Sequence, residues 1–539
     1  MNLDRCTPGQ LEIITTLDAP LMVAAGAGSG KTFTLTQRIV NALCTGALTS
    51  IGEVLAITFT KKAAAELRSR IKAQLLSEGL TDEALAVDDA WITTIHQMAS
   101  RMLRENALEL GVDPTFEVIS DSLADELRDE AIERVIKRAK DGGDRALQDL
   151  LASGPLTATG FGAEGTVDRA RRLLARVEAM PVGFDGIVLA QPRETPGDLL
   201  RALFEPALEF RMIAETWKKP TKTEQAVIDE LASAIEAAEA WLLSPASAVP
   251  FGDDSFDADA FRAAFYVFPP TTPQFHAKKD DAAFFEQWRS TYAHLSAEAE
   301  ACIAARDADA LVRLARMVAE ETAALKGPSR LDKGDLLTLC ARALRERPAL
   351  AARYRDRFKL IMIDEFQDTD KLQVALVSAI ARPGLSNVCT VGDAQQSIYR
   401  FRGADVNVFF EYRDALRAQG DRARFVSLPD NFRSHRDVLA VVDAIFSQQR
   451  VFGSEFLHLE PRAKLNDEPD PVCDGFPRIA FDFVHCKQST SRAQGVAKGD
   501  AVRVAARHVA RHFAELKERG ARAGDMALLL GGMTNADVY

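Results

Sequence analysis

Residues 25–32, AGAGSGKT, combine small residues with a lysine and a threonine directly after an apolar run. Small residues let successive backbone N–H groups close around phosphates, and the N-terminus of a following helix also favours negative charge. In this pattern Lys31 would bridge the outer phosphates and the Thr32 hydroxyl would ligate magnesium. The plain alternative is a Gly-rich turn that begins a helix, but the position between a predicted strand and a predicted helix favours phosphate binding. The predicted phosphate-binding residues are Ala25, Gly26, Ala27, Gly28, Ser29, Gly30, Lys31 and Thr32, with Ala25 where a glycine is more common.

A second group of residues could complete a nucleotide site. The run LIMIDEFQD at 360–368 is an apolar strand that ends in adjacent carboxylates. Asp364 at the strand end can hold magnesium through water, and Glu365 can orient and deprotonate an attacking water. An acidic pair at a strand end is usually only a solvated loop, but here a phosphate-binding loop lies on what can be a neighbouring strand. Together the two motifs predict a nucleotide-hydrolysing site.

Alternating strands and helices must position these residues. Apolar residues at helical spacing follow the first two of four apolar runs, over 31–43 and 63–75. The order strand, loop, helix, strand predicts an α/β fold with a doubly wound parallel sheet. The four runs, each bounded by turn or polar residues as buried parallel strands should be, lie at 21–25, 53–59, 358–364 and 388–393.

The middle and the C-terminal part of the chain differ from this pattern. Residues 108–328 are rich in Ala, Glu and Arg and are interrupted by Pro- and Gly-bearing stretches. Because strand signals resume at 358, we predict a large, mostly helical insertion in the sheet domain. After residue 406 the sequence predicts a third, incomplete segment, with helices at 437–448 and 501–520 and strands at 478–484 and 525–530.

Length and composition exclude several classes of protein. A chain of 539 residues is too long for one core, and 47% hydrophobic with 27% charged residues is ordinary for a globular protein. The net charge of -12 excludes bulk electrostatic coating of nucleic acid, so any DNA binding must be local. The seven widely spaced cysteines predict reduced thiols in a cytoplasmic protein. No signal peptide and no run of about eighteen apolar residues occurs, so we expect no membrane partner.

Seven motifs identify the family that the chain resembles. Their order and spacing are similar to those of the UvrD/Rep-like DNA helicases of superfamily one. The sequences IDEFQDTD and IYRFRGAD are most similar to those of the RecB/AddA-like branch. The resemblance is good over residues 1–115 and 330–440 and hardly extends to the insertion. The motifs are TPGQ (7–10), AGAGSGKT (25–32), ITFTKKAAAEL (57–67), TIHQM (94–98), DEFQD (364–368), VGDAQQSIYRFRGAD (391–405) and LPDNFRS (428–434).

The resemblance implies a domain organisation and several roles. Residues 1–107 and 329–406 would form a first RecA-like motor domain, 108–328 an inserted domain, and 407–539 a partial second RecA-like domain. Gln10 would read the adenine edge of ATP. Gln396 would contact the gamma-phosphate or the attacking water and report hydrolysis to the DNA groove. Arg433 would reach the gamma-phosphate as an arginine finger within one chain. Outside such motifs, a lone Gln or Arg is most often a surface residue.

The resemblance also implies a groove for single-stranded DNA. Aromatic stacking on bases grips a strand without reading its sequence. Positions that stack bases in the family are occupied here by Phe59 and by Phe401, which replaces the more frequent tryptophan, although an aromatic beside a strand is usually a core residue. The other implied DNA-binding residues are Tyr399 and, at phosphate-contacting positions, Thr58, Thr94 and His96. The helix residues Lys61, Lys62, Arg68 and Arg70 could continue the groove, unless they form an ordinary solvated face.

Two departures from the family pattern qualify the resemblance. Phe33 follows the lysine and threonine of the phosphate loop where many relatives carry arginine. Nothing after Ser434 is similar to the later motifs that complete the ATP and DNA sites, or to a C-terminal nuclease block of the RecB/AddA kind. We therefore expect a truncated chain or the N-terminal portion of a larger protein.

Together with the resemblance, these observations predict an ATP- and Mg²⁺-dependent helicase or translocase that acts on single-stranded DNA in repair or recombination. Movement 3′ to 5′ is implied by the resemblance alone. The expected partners are single-stranded or partly duplex DNA and a nuclease/helicase partner subunit. The alternative is a non-motor module that binds nucleotide and DNA without turnover on its own. A small-molecule kinase would fit the phosphate loop but would leave the later motifs without a role.

Overall fold

The computed structural model describes residues 3–158, 164–189, 195–253, 255–269, 281–399, 404–466, 472, 478–483, 498–533 and 536–539. Contacts between residues divide the chain into two compact units. The first is formed by Met1–Ile95, Ala352–Thr369 and Ile380–Tyr539, and the second by His96–Ala351 and Asp370–Ala379. Among the described residues, no helix is long and apolar enough to cross a membrane.

The strands of the described chain are short and mostly follow apolar sequence. In chain order they are β1 Leu21–Ala25, β2 Val54–Thr58, β3 Trp91–Thr94, β4 Glu117–Val118, β5 Arg330–Leu331, β6 Leu360–Ile363, β7 Val388–Gly392, β8 Arg424–Leu428, β9 Asp430–Asn431 and β10 Glu460–Pro461. The four strands predicted from apolar runs are confirmed as β1, β2, β6 and β7.

The α-helices of the described residues carry most of the remaining chain. They are α1 Pro8–Thr15, α2 Lys31–Cys44, α3 Lys61–Ser77, α4 Thr81–Ala86, α5 Ile95–Glu105, α6 Ala107–Leu110, α7 Asp121–Asp141, α8 Arg145–Ala152, α9 Thr166–Glu178, α10 Pro196–Glu215, α11 Lys222–Leu242, α12 Ala258–Phe265, α13 Ala282–Lys326, α14 Lys333–Glu346, α15 Pro348–Arg357, α16 Lys371–Ile380, α17 Val406–Arg417, α18 Arg436–Phe446 and α19 Lys498–Glu518.

The first unit contains a parallel sheet with the strand order β3-β2-β6-β7-β1-β8. All of its strand pairs are parallel, and each connection therefore needs a crossover, which the helices supply. Helices α2 and α3 bury their apolar faces against one another and against the sheet in a single cluster that includes Ile39, Leu67 and Ile71. The predicted α/β class with a parallel sheet is confirmed. The carboxyl ends of its strands meet at one edge, where ligands bind in open α/β sheets.

Strand β8 adds to this sheet beyond the boundary that the sequence suggested at residue 406. It pairs with β1 from Leu21 opposite Arg424 to Ala25 opposite Leu428. Only Val426 and Leu428 of this edge strand are buried, so its sequence, RFVSL, lacks the continuous apolar run of the inner strands. Pairing with β1 covers an edge that would otherwise present unpaired N–H and C=O groups.

Two strands predicted in the C-terminal segment are wrong within the described residues. Neither 478–483 nor 525–530 forms a strand, and Phe483 and Leu529 are 91% and 93% exposed. A strand needs neighbours for its hydrogen bonds, and these residues pair with none that the structure describes. The two helices predicted in the same segment are confirmed as α18 and α19.

The second unit is helical apart from the short pair β4 and β5. Among its described residues, one cluster of apolar side chains lies around Phe210, Phe261 and Trp288, and another lies around Leu150 and Leu314. Helix α13 runs 45 residues and contributes to both clusters. This helix therefore packs in both clusters and connects them.

Candidate active site

The phosphate-binding loop leaves β1 after Ala25 and enters α2 at Lys31. Gly28 and Gly30 have positive φ values of 72° and 84°, a region that glycine adopts without steric cost. Gly30 is the N-cap of α2 and no side chain caps the helix there, so its first backbone N–H groups remain available for a ligand. A Cβ at Gly28 would lie 2.6 Å from the Cβ of Arg433. The loop therefore has the backbone of an anion-binding nest, and at residue 28 both the positive φ and the nearby Arg433 require glycine.

The Lys31 ammonium bonds the carboxylate of Glu365, 334 positions away in the sequence. The distances from Nζ are 3.2 Å to Oε1 and 3.1 Å to Oε2, and both side chains are partly shielded from solvent. The pairing follows from the strand order, which places β6 two strands from β1 at the same sheet edge. The structure thus brings together the two motifs that the sequence placed on separate strands.

The carboxylates around Glu365 are unusual in geometry and in charge. Glu365 adopts the left-handed region with φ 54°, which is uncommon for a residue other than glycine, and its N–H donates to Asp364 Oδ1 over 3.1 Å. Burial, together with the charge of Glu365, raises the pKa of Asp364 to about 6. The same causes raise the pKa of Asp368 to about 6. A cation at this place would relieve the repulsion between these carboxylates.

One cavity of about 590 Å³ opens at this edge of the first unit. Thr32 and Asp364 both line it, and their hydroxyl and carboxylate oxygens are the ligand type that Mg²⁺ prefers. The residues present therefore fit the magnesium ion that the sequence predicted. The residues that line the cavity are Gly28, Ser29, Gly30, Lys31, Thr32, Phe33, Arg70, Asp364, Glu365, Phe432 and Arg433. The cavity thus joins the phosphate loop, the acidic strand end and the predicted arginine finger.

Asn431 fastens the segment that carries Arg433 to the phosphate loop. Its amide Nδ2 donates to the Ala27 carbonyl over 2.6 Å, and its Oδ1 accepts from the N–H groups of Arg433 and Ser434 at 2.9 and 2.7 Å. The residue is fully buried. The Phe432 N–H also donates to Gly28 O over 2.9 Å. The sequence analysis named Arg433 and missed Asn431, although its place in the same motif was a signal that could have identified it.

Asn431→Ala is expected to loosen the phosphate loop. The substitution removes the partner of the Ala27 carbonyl and of the Arg433 and Ser434 N–H groups, all of them part-buried, and each lost hydrogen bond costs about 0.5–1.5 kcal/mol. We expect amide hydrogen exchange of residues 24–31 and 430–434 to become at least about tenfold faster. Asn407→Ala is the matched control, because the Asn407 amide bonds only the nearby Asp405 at an exposed position. Unchanged exchange in both segments would show that Asn431 does not hold the loop.

Gln10 lies beside the phosphate loop, where the resemblance placed an adenine-reading residue. Its Nε2 donates to Ser29 O over 3.3 Å, and its Oε1 accepts from the Thr7 N–H over 3.1 Å in the capping box of α1. The side chain is buried, and a Cβ at Gly30 would lie 3.0 Å from its Nε2. Gln10 therefore supports the loop directly, and its adenine role stays a prediction.

Gln396 follows β7 in the loop that the sequence linked to hydrolysis. Its Nε2 donates to Asp393 Oδ2 over 2.7 Å, and the Asp393 N–H donates to Gln367 Oε1 over 2.9 Å. Gln367 Nε2 in turn donates to Glu365 Oε2 over 2.9 Å. This chain of bonds joins the predicted sensing glutamine to the predicted base through Gln367, which the sequence analysis did not single out.

The predicted DNA-binding residues of the first unit lie at or near the same sheet edge. Phe59 follows β2, and its ring centroid lies 4.7 Å from that of Tyr399 at an angle of 32°. Both rings are half-buried, so part of each faces solvent. Thr58 and Thr94 end β2 and β3 and are buried, and the Thr58 hydroxyl donates to Thr60 O over 3.1 Å. Phe401 lies outside the described residues.

His96 belongs to the second unit, at the start of α5. Burial, assisted by the charge of Lys333, lowers the pKa of its imidazole to about 4. The side chain is therefore neutral near pH 7 and would meet a phosphate as a hydrogen-bond donor, not as a cation.

The basic side chains of α3 divide into separate roles. Lys61 and Lys62 are exposed at its first turn. Arg68 Nη1 donates to Ile92 O over 2.6 Å, so this arginine supports β3. Arg70 lines the cavity described above and pairs with Glu66 at 2.6 Å. Arg70 is thus a candidate nucleotide contact that the sequence analysis had grouped with the DNA groove.

Comparisons with known proteins agree with this geometry. The family model of the UvrD/REP helicase N-terminal domain matches residues 6–416. A relative in Levilactobacillus brevis, described as one subunit of an ATP-dependent helicase/nuclease, is 28% identical over 491 residues, which cover 82% of this chain and 38% of that protein. A Moorella thermoacetica protein of the same description is 29% identical over 503 residues, covering 82% of this chain and 35% of the relative.

A third relative of that description, from Clostridioides difficile, is 25% identical over 505 residues, which cover 83% of this chain and 39% of the relative. The chain therefore spans about two fifths of the length of the curated relatives that it matches.

Proposed function

Because the chain belongs to the family of the UvrD/REP helicase N-terminal domain, we propose that it hydrolyses ATP to drive movement along single-stranded DNA. The observation that carries the proposal is the cavity in which the phosphate loop, Asp364, Glu365 and Arg433 converge. A triphosphate needs backbone donors, a lysine, a divalent cation and a base, and this cavity presents residues for each.

The phosphate loop and Lys31 bind the triphosphate in this proposal. The N–H groups at the start of α2, which no side chain caps, would bind the phosphates together with the loop at Gly28 and Gly30, and the helix dipole adds to their attraction for anions. Lys31 exchanges its ion pair with Glu365 for the outer phosphates. Magnesium, held by Thr32 and Asp364, would neutralise charge on the phosphate oxygens. Arg433 and Arg70 line the cavity as two further cations.

Glu365 acts as the base once Lys31 has turned to the phosphates. A water attacks the gamma-phosphorus, its proton passes to the Glu365 carboxylate, and the bond between the gamma-phosphorus and the bridging oxygen breaks. ADP leaves with the electron pair of that bond. Arg433 stabilises the charge that develops on the transferred group.

The Phe59–Tyr399 pair is the proposed grip on DNA. Half-buried aromatic rings can stack on bases of any sequence, which suits a motor that moves along a strand. Thr58, Thr94 and the neutral His96 would contact phosphates. Movement 3′ to 5′, the RecA-like domain division at residues 107, 328 and 406, and action in DNA repair or recombination rest on family resemblance.

The proposed partners follow from the relatives and from the chemistry. Each relative is described as one subunit of a helicase/nuclease, and we infer that this chain also has a partner subunit. Among the described residues, Cys6, Cys44, Cys340 and Cys389 are free thiols, which suits a reducing cytoplasm. A nucleotide- and DNA-binding module without turnover on its own is the second candidate, which the assay of ATP hydrolysis distinguishes from the first.

ATP hydrolysis with and without single-stranded DNA tests the proposal. We expect turnover that DNA stimulates at least about tenfold, and a loss of about 10²-fold or more in Lys31→Ala, because the outer phosphates lose their main cation. Lys72→Ala is the control, since Lys72 pairs with Asp88 at an exposed position of α3. Nucleotide and DNA binding without turnover would favour the second candidate, and the absence of nucleotide binding would contradict both.

A further inference from the structure

We propose that Gln367 is a positioning residue that couples the orientation of the Glu365 carboxylate to the position of the loop 393–399. The proposal rests on the proposed function, because it assigns Gln367 a role in the regulation of that site. It concerns a buried amide that joins two motifs through its two polar ends.

The side chain of Gln367 is only 2% exposed, and both ends of its amide are occupied. Nε2 donates to Glu365 Oε2 over 2.9 Å and lies 3.4 Å from Asp368 Oδ2. Oε1 accepts from the Asp393 N–H over 2.9 Å. A planar amide cannot lengthen, so a shift of the Glu365 carboxylate must change one of these bonds or move the Asp393 main chain.

Glycine at residue 392 makes room for the hydrogen bond between the Asp393 N–H and Gln367 Oε1. A Cβ at Gly392, the last residue of β7, would lie 2.7 Å from Gln367 Oε1 and 3.2 Å from the Gln367 nitrogen. Contacts under 3.0 Å force one partner to move. The absence of a side chain at residue 392 therefore lets Oε1 reach the Asp393 N–H.

The loop that starts at Asp393 leads to the sensing and stacking residues. Gln396 donates to Asp393 Oδ2, and the Ser397 hydroxyl donates to the Gln367 carbonyl over 3.3 Å. Two residues later Tyr399 lies against Phe59. A displacement of the Asp393 main chain would therefore also displace Tyr399, which belongs to the aromatic pair proposed to bind DNA.

Nucleotide binding changes which side chains bond the Glu365 carboxylate. Within the described residues, the side chains that bond its carboxylate are Lys31 and Gln367. When Lys31 turns to the phosphates, Gln367 remains as the partner that orients the base. The amide then couples the two sites in both directions. It orients the Glu365 carboxylate toward the attacking water, and it moves the loop 393–399 when that carboxylate changes its charge or position.

Two variants and one control test the coupling on the full chain. Gln367→Leu removes both ends of the amide at similar volume, and Gly392→Ala displaces Oε1 without changing Gln367. Gln74→Ala is the control, because the Gln74 amide of α3 bonds the part-buried Glu78 and no residue of the candidate site. The readouts are the dissociation constant of a non-hydrolysed ATP analogue with Mg²⁺, hydrogen exchange of residues 393–399 with and without that analogue, and the ratio of DNA-stimulated to basal hydrolysis.

In the wild type and in the control we expect the analogue to change exchange of 393–399 by at least about threefold. In both variants the dissociation constant should stay within about threefold, while the exchange response disappears and DNA stimulation falls by about tenfold or more. A retained response and a retained stimulation ratio would overturn the proposal. So would weaker analogue binding with an unchanged stimulation ratio, because that pattern indicates a merely structural residue. Failure of the wild type to bind the analogue would instead overturn the proposed function.

Discussion

Replacing Glu365 by glutamine is expected to lower the rate of ATP hydrolysis by about 10²- to 10⁴-fold while ATP binding is retained. Glutamine has nearly the same shape as glutamate but cannot accept the proton of the attacking water. It can still accept a hydrogen bond from Gln367, so the loop after β7 need not move. The loss should therefore appear in kcat.

The same variant makes a second, opposite prediction for binding. Lys31 must leave Glu365 to reach the phosphates, and the ion pair between them is partly exposed and so worth at most about 1 kcal/mol. Its removal should lower the dissociation constant of ATP by up to about fivefold. Steady-state hydrolysis gives kcat, and titration with a non-hydrolysed analogue gives the dissociation constant.

Glu105→Gln serves as the matched control for this variant. Glu105 pairs with Arg101 on one exposed face of α5, so its replacement should change neither quantity. A kcat of Glu365→Gln within about threefold of the wild type would show that another group takes the proton.

Asp364→Asn is expected to abolish magnesium-dependent hydrolysis and at the same time to stabilise the protein without ligand. Burial and the charge of Glu365 raise the pKa of Asp364 from 3.8 to about 6. That difference corresponds to about 3 kcal/mol, and solvent at the partly exposed carboxylate reduces the expected penalty to about 2 kcal/mol. Asparagine carries no charge, retains the acceptor for the Glu365 N–H, and loses the anionic ligand for magnesium.

The sign of the pH dependence follows from the raised pKa. Between about pH 4 and pH 6 the unfolded chain has already lost this proton while the folded chain still holds it. The free energy of unfolding of the wild type therefore falls as pH rises through this window, and the penalty is complete above the folded pKa. The advantage of the variant should be about 0.7 kcal/mol at pH 4.5, where the unfolded carboxyl is already mostly ionised, and about 2 kcal/mol at pH 7.5.

Urea unfolding of the wild type and the variant at both pH values measures this difference. Asp356→Asn is the control, because Asp356 is exposed and its replacement should leave stability nearly unchanged at either pH. An advantage of Asp364→Asn that is equal at the two pH values would contradict the assigned cause, since only a titrating carboxylate produces the pH dependence.

Local sequence predicted the parts of the fold whose determinants are consecutive residues. The strands β1, β2, β6 and β7 are short apolar runs that are buried on both faces, and such runs indicate inner parallel strands. The edge strand β8 was not predicted, because only two of its side chains are buried. The strand predicted at 525–530 is equally apolar but finds no neighbour among the described residues, so its pattern did not decide its structure.

Within the candidate site, the sequence by itself determined the chemistry of the phosphate loop. Its nest consists of neighbouring backbone N–H groups, positive-φ glycines and the start of one helix, all within eight consecutive residues. The order of the motifs also identified the family. These features can be recognised without tertiary contacts, because each is a property of a short segment or of the order of segments.

Only the tertiary structure decided which side chains meet. Lys31 and Glu365 are 334 positions apart, and Asn431 and Ala27 are 404 positions apart, so their contacts depend on the strand order β6-β7-β1-β8. Burial, which raises the pKa of Asp364 and encloses the Gln367 amide between Glu365 and Asp393, likewise follows from packing. The physical reason is that hydrogen bonds and desolvation act over a few ångströms of space, and distances in space between remote residues are fixed by the sheet and not by their spacing in the chain.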